Sequence, residues 1–311
     1  MNVRRWAPAV AMLLWFPSGL AAQVTDGSLS VPQTSWGAPD LQGVWTNSTT
    51  TPLERPQEWN DHASLTVEEV AEIDAQAEGR NDRPPRAGDP GTYNEFWWDR
   101  GRSLSRTSLI VDSPDGRMPA LTNVGRARGD FRQSVDSWED RNLAERCVTR
   151  GAPKRPGGYN NNFQILQTSD YIAIVQEMIH EVRVIPLDER PPVDDAIRLW
   201  MGDSRGRWEG DTLVVETTNY DDRIVANSFN CCGRAGVGLR LTERFRLVNS
   251  DTIDYEYTVD DSTIYTQPWT VGLPMTRIAG PLYEYACHEG NYGLENILRG
   301  SRIEERTTAD R

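Results

Sequence analysis

The sequence predicts a mainly β protein, an antiparallel β-barrel with a helix near its N-terminus and a helix at its C-terminus. Short runs rich in valine, isoleucine, threonine and aromatic residues recur along the chain, and polar turns separate them. The clear helical patterns lie near the two ends. A meander of neighbouring strands can close on itself, which removes exposed sheet edges. We expect a barrel of about eight to ten strands, with a two-sheet sandwich as the alternative.

The longest predicted strand covers residues 171–187, YIAIVQEMIHEVRVIPL, which has no glycine and no proline before Pro186. Strand side chains alternate between two faces. One face of this strand is apolar except for Gln176 and His180. If that face points inward, the strand carries an amide and an imidazole into an apolar interior. Buried polar groups need hydrogen-bond partners, so other strands should supply them.

Helices are predicted on either side of the strands. In residues 64–77, Thr66 and Glu69 form a capping box, and Leu65, Val70 and Ile73 give a short apolar stripe. The last helix should cover about residues 291–303. Besides the long strand, strands are predicted at residues 41–45, 107–112, 163–167, 197–201, 205–208, 212–218, 239–248, 253–260, 264–271, 275–278 and 282–287.

The chain divides into three predicted parts. Residues 1–22 have the pattern of a secretory signal, with Arg4 and Arg5, the apolar run AMLLWF and a small-residue end. Residues 23–40 are rich in Ser, Thr, Pro and Gly and should form a flexible leader, and residues 41–311 should form a single β-barrel domain. No later run reaches the roughly 20 apolar residues of a membrane helix. We therefore expect a periplasmic or secreted protein without membrane insertion.

The net charge and the composition limit the kinds of partner and cofactor that we expect. The formal net charge of -13 argues against nucleic acid and anionic membranes, so the expected partner is a small-molecule ligand or substrate; the oligomeric state is left open. The only lysine, Lys154, lies in the Pro/Gly-rich segment APKRPGG. That segment is a poor place for the buried lysine of Schiff-base chemistry, and no cofactor is predicted.

Four cysteines should be mostly paired in an oxidising compartment: Cys147, Cys231, Cys232 and Cys287. Full pairing allows three connectivities. We favour Cys147 with Cys287, because Cys231 and Cys232 then belong to one loop. No CxxC spacing is present.

The candidate catalytic residues come from strand parity. Glu243 falls on the apolar face of LRLTERFRLV, and Tyr255 and Tyr257 fall on the apolar face of the next strand. With His180 they form an acid–base set in an apolar cavity, and His288 is a second candidate. Burial would shift the pKa of the carboxyl group and of the imidazole in opposite directions. The competing interpretation is that Glu243 and His180 satisfy each other in a structural network.

The candidate binding residues are Gln176, Asn161 and an aromatic segment in the long loop at residues 78–106. This segment, YNEFWWDRG, contains Tyr93, Trp97 and Trp98. Aromatic residues this dense should dock on the body of the protein, so the loop is a candidate lid.

Two further motifs carry less weight. The three histidines, His62, His180 and His288, form no HExxH motif. No metal site is predicted, although His180 and His288 with one carboxylate remain an alternative. Residues 202–206 match GxSxG, but a strand and not a helix should follow, so we interpret the match as chance.

Several strings resemble a large family of secreted bacterial proteins without an established general function. They include PDLQGVWTNSTTTPLERP, YNEFWWDRG, EMIHEVRVIPLD, GDSRGRWEGDTLVVETTN and YEYACHEGN, and they cover nearly all of the mature chain. The tripeptide at residues 43–45 also resembles the G-x-W entry of lipocalin-type barrels. This second resemblance implies that the predicted barrel is lipocalin-like.

The function predicted from these features is a cofactor-independent acid–base enzyme, an isomerase, hydratase or lyase. It would act on a small apolar or aromatic molecule in the barrel cavity. One alternative is a lipocalin-like binding protein that uses the same cavity without catalysis. The other is a carbohydrate-active or carbohydrate-binding protein with exposed tryptophans, which should have a surface cleft.

Overall fold

The β-strands form one antiparallel sheet that curls into a nearly closed barrel. This computed structural model describes residues 31–81, 98–99, 101–127, 136–221 and 236–309. The strands are β1 Gly43–Thr46, β2 Asn162–Gln167, β3 Tyr171–Gln176, β4 Val182–Pro186, β5 Asp203–Glu209, β6 Thr212–Thr218, β7 Arg240–Asn249, β8 Thr252–Asp260, β9 Trp269–Gly272 and β10 Met275–Arg277.

The barrel contains nine of these strands in the order β4-β3-β2-β1-β10-β8-β7-β6-β5, and β9 pairs with β8 beside this path. The seam lies between β4 and β5, where side chains close the gap. A Cβ atom built on Gly206 of β5 would lie 2.9 Å from Ile185 and 2.7 Å from Leu187. The predicted antiparallel barrel is thus confirmed.

Helices accompany the barrel near both ends of the described chain. They are α1 Val67–Asn81, α2 Asn123–Ala127 and α3 Tyr292–Ala309, with 3-10 turns at Gln57–Trp59, Trp138–Asp140 and Met178–His180. The predicted capping box begins α1: the Thr66 amide donates to Glu69 Oε2 at 2.7 Å, and the Glu69 amide donates to Thr66 Oγ1 at 3.2 Å.

Three predicted strands are absent from the described sheet. Residues 107–112 and 197–201 contribute only isolated bridges, at Ile110 and Leu199, and residues 282–287 have no regular structure. Leu109 and Ile110 pack in the core without strand pairing, whereas Ile197, Leu199 and Tyr283 are exposed, so an apolar run alone did not identify a strand.

The barrel interior is a packed core. Alternate residues of β7 and β8 point inward, and Trp45 of β1 is fully buried among them. Burying aromatic and aliphatic side chains of this size supplies most of the stabilisation of such a fold. The core includes Leu41, Ile165, Ile172, Ile185, Leu213, Val215, Leu241, Phe245, Leu247, Ile253, Tyr257 and Val259.

The segment at residues 171–187 is a hairpin and not one long strand. β3 and β4 run antiparallel, with Val175 opposite Val182. The connection is a 3-10 turn in which Ile179 and His180 have left-handed φ angles of 62° and 46°. Two consecutive left-handed residues reverse the chain where the residue pattern predicted continuation.

This turn changes which residues of β4 face the core. Ile172, Ile174 and Gln176 are buried as predicted. In β3 the even-numbered residues, such as Gln176, face the core. After the turn the odd-numbered residues, such as Arg183, face the core instead. Arg183, predicted to face out, is buried; the Val182 and Val184 side chains, predicted to face in, are exposed.

Residues outside the barrel strands are tied to it by specific bonds. In the expected leader, residues 31–40 contact the body: Gln167 accepts from the Leu41 amide at 3.0 Å and donates to Pro39 O at 3.0 Å. Cys147 and Cys287 form the favoured disulfide. The predicted signal at residues 1–22, Tyr93, Trp97, Cys231 and Cys232 lie outside the described residues.

In the part of the chain that the structure describes, we find no helix with the length and apolar character needed to cross a bilayer.

Candidate functional site

Glu243 of β7 forms an ion pair inside the barrel, and its partner is Arg183 of β4. Arg183 Nη2 donates to Glu243 Oε1 at 2.9 Å, and Arg183 Nη1 donates to Glu243 Oε2. The Tyr255 hydroxyl donates to Glu243 Oε1 at 2.8 Å. Both carboxylate oxygens are therefore occupied, in the forked geometry that makes Arg–carboxylate pairs strong.

The electrostatics of this network follow from burial and charge. Burial alone would lower the pKa of Arg183, but the charge of Glu243 and the hydrogen bonds to it raise that pKa. Burial and the neighbouring Glu243 charge raise the pKa of Tyr255 well above its ordinary value. Burial also raises the pKa of Tyr257. The network thus holds one guanidinium, one carboxylate and neutral phenols.

The predicted acid–base set is only partly assembled. Glu243, Tyr255 and Tyr257 are together in the core, but His180 is exposed on the 3-10 turn. The expected pairing of Glu243 with His180 is wrong, because the reversed alternation in β4 brings Arg183 inward instead. His288 and His62 are also exposed, so no described histidine lies in the interior.

Gln176 lies in the interior as predicted, next to a very small cavity. The cavity has a volume of about 20 Å³ and is lined by Gln176, Lys154, Arg183 and Glu243 among others. Pockets for drug-sized ligands have volumes of hundreds of cubic ångströms. This cavity therefore has room for a water molecule but not for an organic substrate.

Asn161 and Trp98 have packing roles. Asn161 is fully buried; its side-chain amide donates to Asp99 Oδ2 at 2.7 Å and to Gly157 O at 2.8 Å. A Cβ at Gly158 would collide with the Trp98 ring. Since the amide hydrogens of Asn161 are already used, its side chain has no donor left for a ligand.

Lys154 is buried, contrary to the expectation from its Pro/Gly-rich surroundings. Its side chain is 4% exposed, and Nζ donates to Asn160 O at 2.6 Å and to Asn161 Oδ1 at 2.9 Å. Burial lowers the pKa of Lys154 to about 7, and the nearby Asp99 charge opposes this shift. The Pro/Gly-rich segment does not expose Lys154, since residues 151–154 are all buried.

A much larger cleft lies at the end of the barrel where β2 begins and β3 ends. Its volume is about 1320 Å³. Its described lining includes the carboxylates Asp99, Glu145, Glu177, Glu284 and Glu289, the amides Asn142, Asn160, Asn162 and Asn291, the phenols Tyr159, Tyr283 and Tyr285, and Arg150. The size is sufficient for a small organic ligand.

Glu177 is the most shielded carboxylate of the cleft, with 4% exposure. It follows β3 directly, at the start of the 3-10 turn. Oε2 accepts from Asn162 Nδ2 at 2.6 Å, and Oε1 accepts from the Tyr283 amide at 3.3 Å. These two donors fix the carboxylate plane while the group still contributes to the cleft surface.

The cleft wall is completed by two segments that the disulfide joins. Cys147 and Cys287 both line the cleft, and Asn291 Nδ2 donates to Glu145 O at 3.1 Å. Behind this wall the Arg150 amide donates to Glu181 Oε2 at 3.1 Å. Burial raises the pKa of Glu181 to about 7, and hydrogen bonds from Thr149 and Arg150 oppose the shift.

Sequence reasoning did not identify Glu177 as a site residue. The pattern assigned Glu177 to the outward face of a long strand, together with other charges. Its partners Asn162 and Tyr283 come from distant segments, so no local spacing marks the site. The left-handed residues of the turn that follows Glu177 are an isoleucine and a histidine, and they give no turn signal.

Two negative findings concern other chemistry. Among the described residues no group of three or more His, Cys, Asp or Glu side chains is arranged to hold a metal ion. The GxSxG match lies at the start of β5, with buried Ser204 hydrogen-bonded to Thr217 at 2.9 Å. The chain continues there as a β-hairpin, so this segment is no nucleophile elbow.

No family model, no curated protein and no solved structure matches this chain. The resemblance to a family of secreted bacterial proteins therefore stays a prediction.

Proposed function

We propose that this protein is an acid–base enzyme of the isomerase, hydratase or lyase type, and that its site is the cleft at the barrel end. The observation that carries the proposal is Glu177, which is 4% exposed and still lines a cleft of about 1320 Å³. A ligand in the cleft can reach such a carboxylate, while bulk water is largely kept away from it. This combination is suited to proton transfer.

Glu177 and Arg150 supply complementary groups in this cleft. Glu177 would take a proton from a carbon next to a carbonyl group, and the electron pair of the C–H bond would move towards the carbonyl oxygen. The Arg150 guanidinium would stabilise the negative charge that develops there. Return of the proton to another carbon completes an isomerisation, and departure of a leaving group completes an elimination.

Asn162 and the Tyr283 amide act as positioning groups. Each donates to one oxygen of Glu177, so the carboxylate keeps one orientation towards the ligand. A fixed orientation of the base is a main source of rate acceleration in proton transfer.

The charges of the lining limit the substrate further than the sequence, which predicted a small apolar or aromatic molecule. Five carboxylates and four asparagine amides face the cleft, against Arg150 as the basic side chain among its described lining residues. Like charges that meet across a binding surface are unfavourable, so the substrate should be neutral or cationic.

Exchange of substrate hydrogen for deuterium tests this proposal. The protein is incubated in D₂O with a panel of neutral and amine-bearing carbonyl compounds, and deuterium uptake at carbon is followed by NMR. We expect catalysed uptake by at least one compound. Glu177→Gln should lower the rate about 10²–10⁴-fold, whereas Glu284→Gln, at an exposed carboxylate of the same cleft, should leave it nearly unchanged.

His180→Ala provides a second control, because His180 is exposed and does not line the cleft. Full activity in this variant is expected. A protein that binds a panel compound but exchanges no hydrogen would be a binding protein without catalysis, and the enzyme proposal would fail.

A carbohydrate ligand is the second candidate, because the large pocket is a surface cleft and not an enclosed barrel cavity. Three tyrosines line it together with carboxylates and amides, a combination suited to stacking on sugar rings and bonding to hydroxyl groups. This alternative predicted exposed tryptophans, and Trp138 is 51% exposed, with Arg146 over its ring. Saturation-transfer NMR with oligosaccharides would detect such binding, and its loss in Tyr283→Ala would assign it to the cleft.

We also propose that the protein is secreted. The Cys147–Cys287 disulfide supports this location, because disulfides persist mainly in oxidising compartments. Cell fractionation of the source organism tests it, and recovery of the protein in the reducing cytoplasm would contradict it.

A further inference from the structure

Gln176 presents a hydrogen-bond acceptor to the core that no described residue satisfies. The residue is 2% exposed; Nε2 lies 3.5 Å from Gly151 O, and Oε1 has no partner among the described residues. Rotating the amide by 180° would place its oxygen against the oxygen of Gly151, so the orientation is fixed by its surroundings. A buried acceptor in this position requires a donor.

The acceptor lies on the wall of the 20 Å³ cavity. A buried water requires about 10–15 Å³ of such volume and two to four polar partners. One water molecule fits, and a second water or an organic group does not. The cavity therefore has the dimensions of a single-water site.

Two other groups on the same wall have unused hydrogen-bonding capacity. In its protonated form Lys154 Nζ has three hydrogens, and it donates two of them, to Asn160 O and Asn161 Oδ1. Glu243 Oε2 accepts one bond, from Arg183, and retains a second lone pair. Together with Gln176 Oε1, they offer one donor and two acceptors around one volume.

We propose that this cavity binds one ordered water molecule that accepts a hydrogen bond from Lys154 Nζ and donates to Gln176 Oε1 and Glu243 Oε2. Three bonds are the usual number for a buried water. The water would connect Lys154 to the Arg183–Glu243 pair of the barrel core, and it would satisfy the last polar atom of Gln176.

A high-resolution crystal structure of the wild-type protein tests the site directly. We expect one density peak at about 2.6–3.2 Å from Gln176 Oε1, Lys154 Nζ and Glu243 Oε2. An empty cavity, or Gln176 Oε1 bonded to a protein donor, would overturn the proposal. This test needs no variant and so does not depend on the folding of a mutant.

Oxygen-17 relaxation dispersion of water supplies a solution measurement. Gln176→Leu removes the acceptor, and we expect the loss of one long-lived water relative to wild type. The matched control is Gln164→Leu, on the neighbouring strand β2, where the side chain is opposite Val175 on the outer face; it should lose none. Equal numbers of long-lived waters in the two variants would contradict the proposed site.

Discussion

Arg183 and Glu243 depend on each other, because each leaves an uncompensated charge in the core when the other is removed. Their side chains are 7% and 1% exposed. Breaking a buried pair by removing one partner costs about 3–5 kcal/mol, whereas replacing both partners by apolar residues is often neutral.

We expect Glu243→Leu to lower the free energy of unfolding by about 3–5 kcal/mol and the double change Arg183→Met/Glu243→Leu to recover much of that loss. Urea denaturation of both variants measures the difference. Arg246→Met is the control, because the Arg246–Asp254 pair is 53% and 38% exposed and should contribute less than about 1 kcal/mol. Similar losses for Glu243→Leu and Arg246→Met would contradict the buried-pair interpretation.

Lys154 should make the free energy of unfolding depend on alkaline pH. Its pKa is about 7 in the folded protein, against 10.5 ordinarily. Between these pH values the unfolded chain holds a proton that the folded protein has lost. The free energy of unfolding therefore rises with pH in this window, by up to about 5 kcal/mol.

Urea denaturation at intervals from about pH 7 to pH 10 measures this rise. The variant Lys154→Met should lack the contribution and give a flatter profile in the same window. Parallel profiles for wild type and variant would show that the pKa of Lys154 is not lowered in the folded protein.

Glu181 should make the free energy of unfolding depend on pH in the adjacent, more acidic range. Its pKa is raised from 4.5 to about 7, so between those values the folded state holds a proton that the unfolded chain has lost. The contribution to stability is present below pH 4.5 and is lost as pH rises through 7. Glu181→Gln should remove this decrease in the free energy of unfolding, which a pH series of urea denaturations measures. The same decrease in wild type and variant would contradict the prediction.

At the residue scale, strand parity predicted the inward positions of Glu243, Tyr255, Tyr257 and Gln176 correctly. It could not predict the partner of Glu243, because that partner depends on how a turn elsewhere in the chain is built. It also could not place Lys154, whose burial results from contacts with Asn160 and Asn161 and not from local composition.

At the scale of single elements, the turn between β3 and β4 decides which residues of β4 face the core. Ile179 and His180 both adopt left-handed backbone angles, which are costly for residues other than glycine. The strand residues on both sides are rich in valine and isoleucine, so local propensity predicts continuation of the strand. Pairing of β3 with β4 and burial of Ile185 overcome this propensity.

His180 offers a test of backbone strain, since its side chain is exposed and its φ is 46°. We expect His180→Gly to raise the free energy of unfolding by about 0.5–1 kcal/mol. His180→Val should lower it, because a β-branched side chain is disfavoured at positive φ.

The same replacement at His288 is the matched control for this strain. His288 is exposed and does not have a positive φ, so His288→Gly should not stabilise the protein. Urea denaturation compares the three variants, and equal effects of the two glycine changes would contradict the strain argument.

At the scale of the whole molecule, the sequence predicts the barrel and the favoured disulfide, and both are confirmed. Strands with alternating polarity that are joined by polar turns indicate a meander, and a meander of this length can close into a barrel. The cleft could not be predicted from the sequence, because its walls come from segments near residues 142–150, 157–162 and 283–291. Segments without periodicity give no signal of their mutual distance.

The disulfide closes a loop of 140 residues. Cross-linking a loop of that length restricts the unfolded chain, and removal of native disulfides typically costs about 2–5 kcal/mol. We expect Cys147→Ser/Cys287→Ser to show this loss in urea denaturation and faster hydrogen exchange in α3. An unchanged denaturation midpoint together with unchanged protection of α3 would contradict it.

The same cross-link determines what happens when a protease cuts the chain. Residues 188–192 are exposed and lie between Cys147 and Cys287. A single cut there would produce two fragments that remain covalently joined, and the antiparallel pairing across the rest of the barrel would hold them in place. The nicked protein should therefore migrate as one chain in a non-reducing gel and as two after reduction.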